Sequence, residues 1–229
     1  MTAFSPICCR PQPAPSGSVP AVRAGVWFIV AAAAAVVDWI AVAAGRKPLE
    51  YAAKPATLLA LIAAALAVEG AEPARQAWFV GALICSLAGD VFLMLPSDRF
   101  VAGLASFLLG HLAYIAGFWV ADPGGWPLAA GIVVVVVAAA TLGGRILAGV
   151  RHRDHRLVGP VLAYMAVLSA MVALGIGSRI PLAAAGALLF YASDALIAWT
   201  RFVRPAPKGP LAIIVTYHLA QAALVASLA

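Results

Sequence analysis

Two aspartates stand in otherwise apolar runs of this chain and are the residues best suited to chemistry. Asp90 lies in GALICSLAGDVFLML, and Asp194 lies in GALLFYASDALIAW. A carboxylate inside a membrane helix costs about 2.5–3.5 kcal/mol on insertion scales, so such residues usually face a bundle interior or a wet cavity. The two aspartates therefore predict a functional site within a membrane.

A close pair of buried carboxylates predicts acid and base catalysis. Because two like charges in a low-dielectric site do not both stay ionised, the pair shares one proton. One member is then a general acid and the other a general base. An acid-labile ether suits this pair: the acid protonates the β-carbon of a vinyl ether, and the partner stabilises the cation and guides water to it, as in glycoside hydrolysis. No cofactor and no metal is required.

Other polar side chains near these runs are candidates for binding a substrate. On a helix, His111 shares a face with Tyr114, and Tyr217 shares a face with Gln221. Lys54 stands at the border of an apolar run, where Lys54-Pro55 is expected to begin a helix beside the predicted site. We therefore expect five substrate-binding residues: Lys54, His111, Tyr114, Tyr217 and Gln221.

Each of these residues also has a purely structural interpretation. The aspartates could cap or bridge helices, and His111 could be a core histidine with its hydrogen bonds satisfied. Tyr217 and Gln221 could join helices by hydrogen bonds, and Lys54 could anchor a helix at the membrane face. His218 is expected to support its neighbours, whereas Asp38 has no evident partner.

The composition predicts the environment of the chain. Of 229 residues, 64% are hydrophobic and 10% charged, with a mean hydropathy of +1.00. Soluble domains carry about 25% charged residues, so we expect an all-α polytopic membrane protein whose partner is the lipid bilayer. The net charge of +6 comes from basic residues between apolar runs, which favours membrane orientation over nucleic-acid binding. The oligomeric state stays open.

Apolar runs separated by proline, glycine and charged residues predict eight transmembrane helices within residues 23–229. Pro55 is expected in the first turn of the second helix, where its missing N–H is no loss. Arg145–Arg156 is expected to be a basic loop, and the proline-rich residues 1–22 a disordered tail. A signal peptide is the alternative for the first helix, because Ala41-Val42-Ala43 fits a cleavage site. The predicted spans are 24–44, 55–68, 77–95, 100–120, 128–149, 157–175, 181–200 and 210–228.

The stretch that holds Asp90 recurs around Asp194. Gly81-Ala82-Leu83 matches Gly186-Ala187-Leu188, and His111-Leu112-Ala113 matches His218-Leu219-Ala220, at offsets of 105 and 107 residues. Coincidence is the alternative, since Ala- and Leu-rich sequence matches itself easily. We predict two four-helix parallel repeats related by an axis along the membrane normal, across which the two aspartates approach each other.

The positions of lysine and arginine predict the orientation. The N-terminal region and the connections after helices two, four and six carry four of them, and the other connections carry eleven. By the positive-inside rule the second side is cytoplasmic. Both termini then lie outside the cytoplasm of a bacterial-type cell, and Lys54 lies at the cytoplasmic rim.

Five short motifs resemble the YhhN family of lysoplasmalogenase-like membrane proteins, from about residue 45 to the end. In this family, an eight-helix membrane enzyme hydrolyses the vinyl ether bond of a lysophospholipid, lysoplasmalogen, to a fatty aldehyde and glycerophosphoethanolamine or glycerophosphocholine. The resemblance assigns the family's two aspartates to Asp90 and Asp194, and its polar helix residues to Lys54, His111, Tyr217 and Gln221. His218 departs from the family pattern, which has an aromatic residue there. The motifs are Lys54-Pro55, Gly89-Asp90, Gly110-His111 with Tyr114, Ser193-Asp194, and Tyr217 with Ala220-Gln221.

Two other functions stay open from the residues themselves. A proton-coupled transporter also places carboxylates near the midplane of a repeated fold, and it would move a substrate without forming a product. A metal hydrolase is the other, with Asp90, Asp194, His111 and His218 as mixed ligands. The chain has no compact ligand motif such as H-E-x-x-H.

Overall fold

The computed structural model describes residues 19–97 and 99–229, and these residues form helices joined by short connections. No strand occurs among them. Most of the predicted tail, residues 1–18, lies outside the described part. The helices are α1 (Val19–Ala43), α2 (Lys47–Ala67), α3 (Pro73–Met94), α4 (Phe100–Val120), α5 (Gly125–Ala138), α6 (Gly144–Arg153), α7 (Val158–Gly177), α8 (Pro181–Ala198) and α9 (Gly209–Ala226).

Eight segments of the described chain are long and apolar enough to cross a membrane. A π-helical segment, Ala139–Gly143, joins α5 and α6 into one of them, and a second π segment, Trp199–Val203, extends α8. The outer surface is apolar, as lipid requires: Trp126 and Ile29 expose 80% and 72% of their area. These findings confirm the prediction of an all-α integral membrane protein with eight transmembrane helices.

The second helix begins earlier than predicted. It starts at Lys47, Pro48 lies in its first turn, and Pro55 lies inside it. The expectation that Pro55 begins a helix is therefore wrong, because Pro48 already fills the position at which proline costs least. Lys54 projects from within the helix, one turn after Glu50.

The segment Arg145–Arg156 is helical over most of its length, whereas the sequence predicts a loop. α6 places Arg151, His152 and Arg153 in its last turn. Cations there interact favourably with the negative end of the helix dipole, so a basic run can extend a helix rather than end it. The chain leaves the helix at Asp154, whose carboxylate accepts a hydrogen bond from the Arg156 backbone N–H at 3.0 Å.

The helices pack most closely in four pairs: α1 with α2, α3 with α4, α5 with α7, and α8 with α9. Glycines permit this approach. A Cβ on Gly131 would lie 2.8 Å from the Ala173 carbonyl oxygen, and one on Gly186 would lie 3.0 Å from that of Ala220. Small residues at helix contacts are typical of membrane proteins. The first span packs on the second, and the third on the fourth, in each half of the chain; the internal repeat itself stays a prediction.

The buried centre of the bundle lies where α3, α4, α8 and α9 meet. Aromatic rings from all four helices contact one another edge to face there, with centroids 5.0–6.5 Å apart, a favourable arrangement for ring quadrupoles. The helices are thus held at fixed distances around the polar side chains among the rings. The rings are those of Phe79, Phe107, Tyr114, Phe190 and Tyr217.

Candidate active site

The two aspartates lie in the buried centre, each held by a tyrosine of another helix. The Tyr217 hydroxyl on α9 donates to Asp90 Oδ2 on α3 at 2.8 Å. The Tyr164 hydroxyl on α7 donates to Asp194 Oδ2 on α8. Asp90 is 6% and Asp194 9% exposed. The charge of Asp90 also acts on Asp194.

His111 lies on the Asp194 side of this buried centre. Its Nε2 lies 3.7 Å from Asp194 Oδ2, and its ring contacts Tyr164 and Phe190 at centroid distances of 5.2 and 4.7 Å. Its Nδ1 lies 2.6 Å from the carbonyl oxygen of Phe107. A carbonyl only accepts hydrogen bonds, so Nδ1 carries a proton and a neutral ring presents a bare Nε2 to Asp194.

Tyr114 and Gln221 form a second buried contact between α4 and α9. The Tyr114 hydroxyl donates to Gln221 Oε1, and both side chains are fully buried. Gln221 Nε2 has no hydrogen-bond partner among the described residues. This free donor could be used by a bound substrate or a water molecule, which keeps Gln221 a candidate binding residue.

Lys54 lies on α2 beside a buried carboxylate that the sequence analysis overlooked. Its Nζ lies 3.1 Å from Glu50 Oε1, and the Nζ of Lys47 lies 2.9 Å from the other oxygen. The spacing offers a signal for this group, because residues three and four apart on a helix are neighbours. The charge of Lys54 reaches Asp90, which makes Lys54 the cation of this side of the bundle.

His218 belongs to a separate buried cluster with α1. Trp39 Nε1 donates to His218 Nδ1 at 3.2 Å, so a neutral ring carries its proton on Nε2. That Nε2 lies 3.9 Å from Asp38 Oδ2. Asp38, for which the sequence offers no partner, is fully buried, and its carboxylate has no hydrogen-bond donor within the described part of the chain. A buried water between the two groups would satisfy both.

A cavity with about 750 Å³ of empty space lies chiefly between α4, α7, α8 and the π segment Ala139–Gly143 with the start of α6, and it reaches Asp194. Asp194, Tyr164 and Tyr191 are the side chains with polar atoms in its lining, and the rest is apolar. An apolar lining with a few convergent polar groups is typical of small-molecule sites. Tyr164 thus both lines the cavity and holds Asp194, although no local spacing in the sequence points to it.

The geometry does not assemble the mixed metal site that the sequence left open. The Nε2 of His111 lies near Asp194, whereas the Nε2 of His218 lies near Asp38 in a separate cluster. Within residues 19–97 and 99–229, no group of three or more His, Cys, Asp or Glu side chains could hold a metal ion.

Comparison with known proteins identifies relatives of the chain. It is 38% identical over 141 residues to human lysoplasmalogenase TMEM86B, 62% of this chain and 58% of the human protein. It is 35% identical over 149 residues to the mouse protein of that name, 64% of this chain and 61% of the relative. A protein of Mycobacterium bovis named lysoplasmalogenase is 33% identical over 151 residues, 63% of this chain and 58% of the relative. The chain thus aligns with less than two thirds of these proteins.

No solved structure significantly matches the fold. The model of the YhhN family matches residues 49–228, a region that contains α3, α4 and α7–α9 with both aspartates and the histidine and tyrosines around them. The chain belongs to the YhhN family.

Proposed function

We propose that this protein is a membrane hydrolase that cleaves the vinyl ether bond of lysoplasmalogens. The products are a fatty aldehyde and glycerophosphoethanolamine or glycerophosphocholine. The observation that carries the proposal is Asp194, which stands in the wall of an apolar cavity and within reach of a second buried carboxylate. The names of the human and mycobacterial relatives support it independently.

The cavity suits the chain of a lysolipid. An alkenyl chain lies against apolar side chains such as Phe107, Leu168 and Met165, and burial of its methylenes contributes about 0.8 kcal/mol each. The vinyl ether then lies beside Asp194 and Tyr164, two of the polar side chains of the lining. In this pose the bond to be cleaved meets the acid while the rest of the chain stays away from water.

The hydrogen bonds of His111 assign the proton to Asp194. The bare Nε2 of a neutral His111 and a carboxylate would both be acceptors, and at 3.7 Å they would gain nothing from each other. A proton on Asp194 removes the repulsion between a carboxylate charge and this lone pair, so we assign the role of general acid to Asp194. We assign the negative charge to Asp90, because the charge of Lys54 acts on Asp90 and not on Asp194.

The reaction follows from this assignment. Asp194 gives its proton to the β-carbon of the vinyl ether, whose π electrons form the new C–H bond and leave an oxocarbenium ion. Asp90 stabilises this cation and takes a proton from the water that attacks it. The hemiacetal then loses its hydroxyl proton and breaks its C–O bond to the glycerol. The departing oxygen takes up a proton, so the net change is the addition of one water.

Replacement of either aspartate tests the mechanism. In Asp90→Asn and Asp194→Asn, aldehyde release from lysoplasmalogen should fall at least about 100-fold, since general acid and base catalysis contributes that much or more. Asp38→Asn is the matched control, a third buried aspartate that no tyrosine hydroxyl holds among the described residues, and should retain activity within about tenfold. Circular dichroism and size-exclusion chromatography in detergent should show that all three variants are folded.

Aldehyde release, together with a liposome exchange assay, distinguishes the hydrolase from the alternatives. Near-normal turnover by either Asp90→Asn or Asp194→Asn would overturn the acid and base assignment. A wild-type protein that exchanges lysolipid across liposomes and releases no aldehyde would instead be the proton-coupled transporter.

A further inference from the structure

We propose that Arg201, with Arg99, binds the phosphate of the lysolipid, and that Asp154 faces the ammonium of its headgroup. This inference rests on the proposed function and adds a headgroup site to it. The sequence directed attention to Lys54 for this role. The argument for Arg201 is based on the cavity, on the spacing along α8 and on charge.

A polar pocket adjoins the apolar cavity at the end of the bundle where α3 connects to α4. It has about 630 Å³ of empty space, and its lining includes Arg99, Phe100, Asp154 and Arg201. Phe100 also lines the apolar cavity. The Arg201 guanidinium lies over this ring, 3.9 Å from its centroid, a cation–π contact that fixes the charge at the boundary.

The spacing between Asp194 and Arg201 matches the geometry of a lysolipid. The two residues are seven positions apart, which is at most about 10 Å along the helix axis, and each lines one of the two pockets that share Phe100. The π segment Trp199–Val203, which carries Arg201, continues α8 toward the polar pocket. In a lysolipid the three carbons of glycerol separate the ether oxygen from the phosphate ester. A vinyl ether at Asp194 therefore leaves its phosphate near Arg201, with the alkenyl chain directed deeper.

The charges of the pocket complement a zwitterionic headgroup. Ethanolamine and choline phospholipids carry one phosphate and one ammonium, and the described residues of the pocket include two guanidinium groups and the Asp154 carboxylate. Arginine suits the phosphate, because its planar fork can donate two parallel hydrogen bonds.

The alternative cation is less well connected to the cavity. Lys54 and Lys47 both bind Glu50, and the pocket that they line with Val42, Ile213 and others shares no lining residue with the apolar cavity. Binding of phosphate by Lys54 stays a prediction, and the experiment below distinguishes it from ours.

Binding of analogues that cannot be hydrolysed tests the site without activity. The probes are a 1-O-alkyl-glycerophosphocholine and the matching 1-O-alkylglycerol, which has no phosphate, with the purified full chain in detergent. Arg201→Gln should weaken binding of the phospholipid about tenfold or more and leave that of the alkylglycerol unchanged. Arg201→Lys, which keeps the charge, should lie between. Arg151→Gln removes an exposed arginine of α6 and should change neither affinity.

A further variant tests the ammonium contact. Asp154→Asn keeps an oxygen that accepts from the Arg156 N–H. It should weaken binding of the phosphocholine lipid and leave binding of an alkyl lysophosphatidic acid, which lacks the ammonium, unchanged. The proposal is overturned if Arg201→Gln weakens binding of the phospholipid and of the alkylglycerol equally, or of neither. It is also overturned if, among these variants, only Lys54→Gln removes the preference for the lipid with a phosphate. Wild-type protein that binds these analogues with the expected preference but releases no aldehyde from lysoplasmalogen would refute the proposed function. The headgroup site would still stand.

Discussion

Two buried histidines of this protein carry their protons on opposite nitrogens. His111 donates from Nδ1 to the Phe107 carbonyl, whereas His218 accepts at Nδ1 from Trp39. A neutral His111 therefore offers Asp194 a lone pair, and a neutral His218 offers Asp38 an N–H. The same residue type thus has opposite roles, because the hydrogen bond at one ring nitrogen decides the state of the other.

At this scale, the Tyr114–Gln221 contact predicts a stability change. Tyr114→Phe removes the donor to a fully buried amide oxygen and should lower the free energy of unfolding by about 1–3 kcal/mol. Adding Gln221→Met removes the amide and should recover part of the loss, because neither polar group then remains. Chemical unfolding in detergent of the wild type, both single variants and the double variant measures the coupling. If the losses of unfolding free energy in the two single variants simply add up in the double variant, Tyr114 and Gln221 are not coupled and the prediction is wrong.

The contact between α8 and α9 brings the active-site residues of two helices together. Asp194 and Tyr217 stand on these helices, and the backbones approach closely at Gly186. The predicted counterpart of this glycine, Gly81 on α3, has nothing within 4 Å of an added Cβ. Equivalent positions of the proposed repeat therefore have different packing.

Alanine at these two glycines should have opposite effects. Gly186→Ala places a Cβ 2.8 Å from Leu224 Cγ and 3.0 Å from the Leu224 backbone nitrogen, so it should destabilise the protein by about 1–3 kcal/mol and reduce aldehyde release. Gly81→Ala is the control, and it should be neutral or stabilise by up to about 1 kcal/mol, since alanine favours a helix. Thermal unfolding in detergent compares them. Equal stability of the two variants would show that α8 and α9 do not approach as closely as described.

For the whole molecule, the proposed reaction is matched to an amphiphile that already lies in the bilayer. The cavity among the helices is apolar, and the adjoining polar pocket lies at the end of the bundle where α3 connects to α4. A lysolipid can place its chain in the first and its headgroup in the second. The end with the polar pocket is also the one that the positive-inside rule assigns to the cytoplasm.

Reporter fusions test this orientation. Alkaline phosphatase fused after Ala229 should be active in a bacterial host, and green fluorescent protein at that position should be dark, because the phosphatase folds only outside the cytoplasm. Fusion after Ala206, in the connection between α8 and α9, should give the reverse pattern. Phosphatase activity at Ala206 together with fluorescence at Ala229 would invert the topology.

The sequence by itself determined the eight helices and the membrane setting. The bilayer requires about 20 apolar residues in each span and allows only helices or closed barrels, so composition and run length suffice. It also singled out Asp90, Asp194, His111 and Gln221, because polar residues stand out in apolar runs. The predicted start of the second helix, Pro55, is too late. The first turns of this helix are polar, and the pairs of Glu50 with Lys47 and Lys54 stabilise them, so hydropathy does not mark its start.

Only the tertiary structure decided which side chains meet. Tyr164 holds Asp194 from 30 residues away, Tyr217 holds Asp90 across 127 positions, and Trp39 orients His218 across 179. Such pairs depend on how whole helices rotate and pack, and neither local spacing nor hydropathy contains that information. The proton that we propose for Asp194 is argued from these contacts, because the Phe107 carbonyl leaves His111 Nε2 as an acceptor.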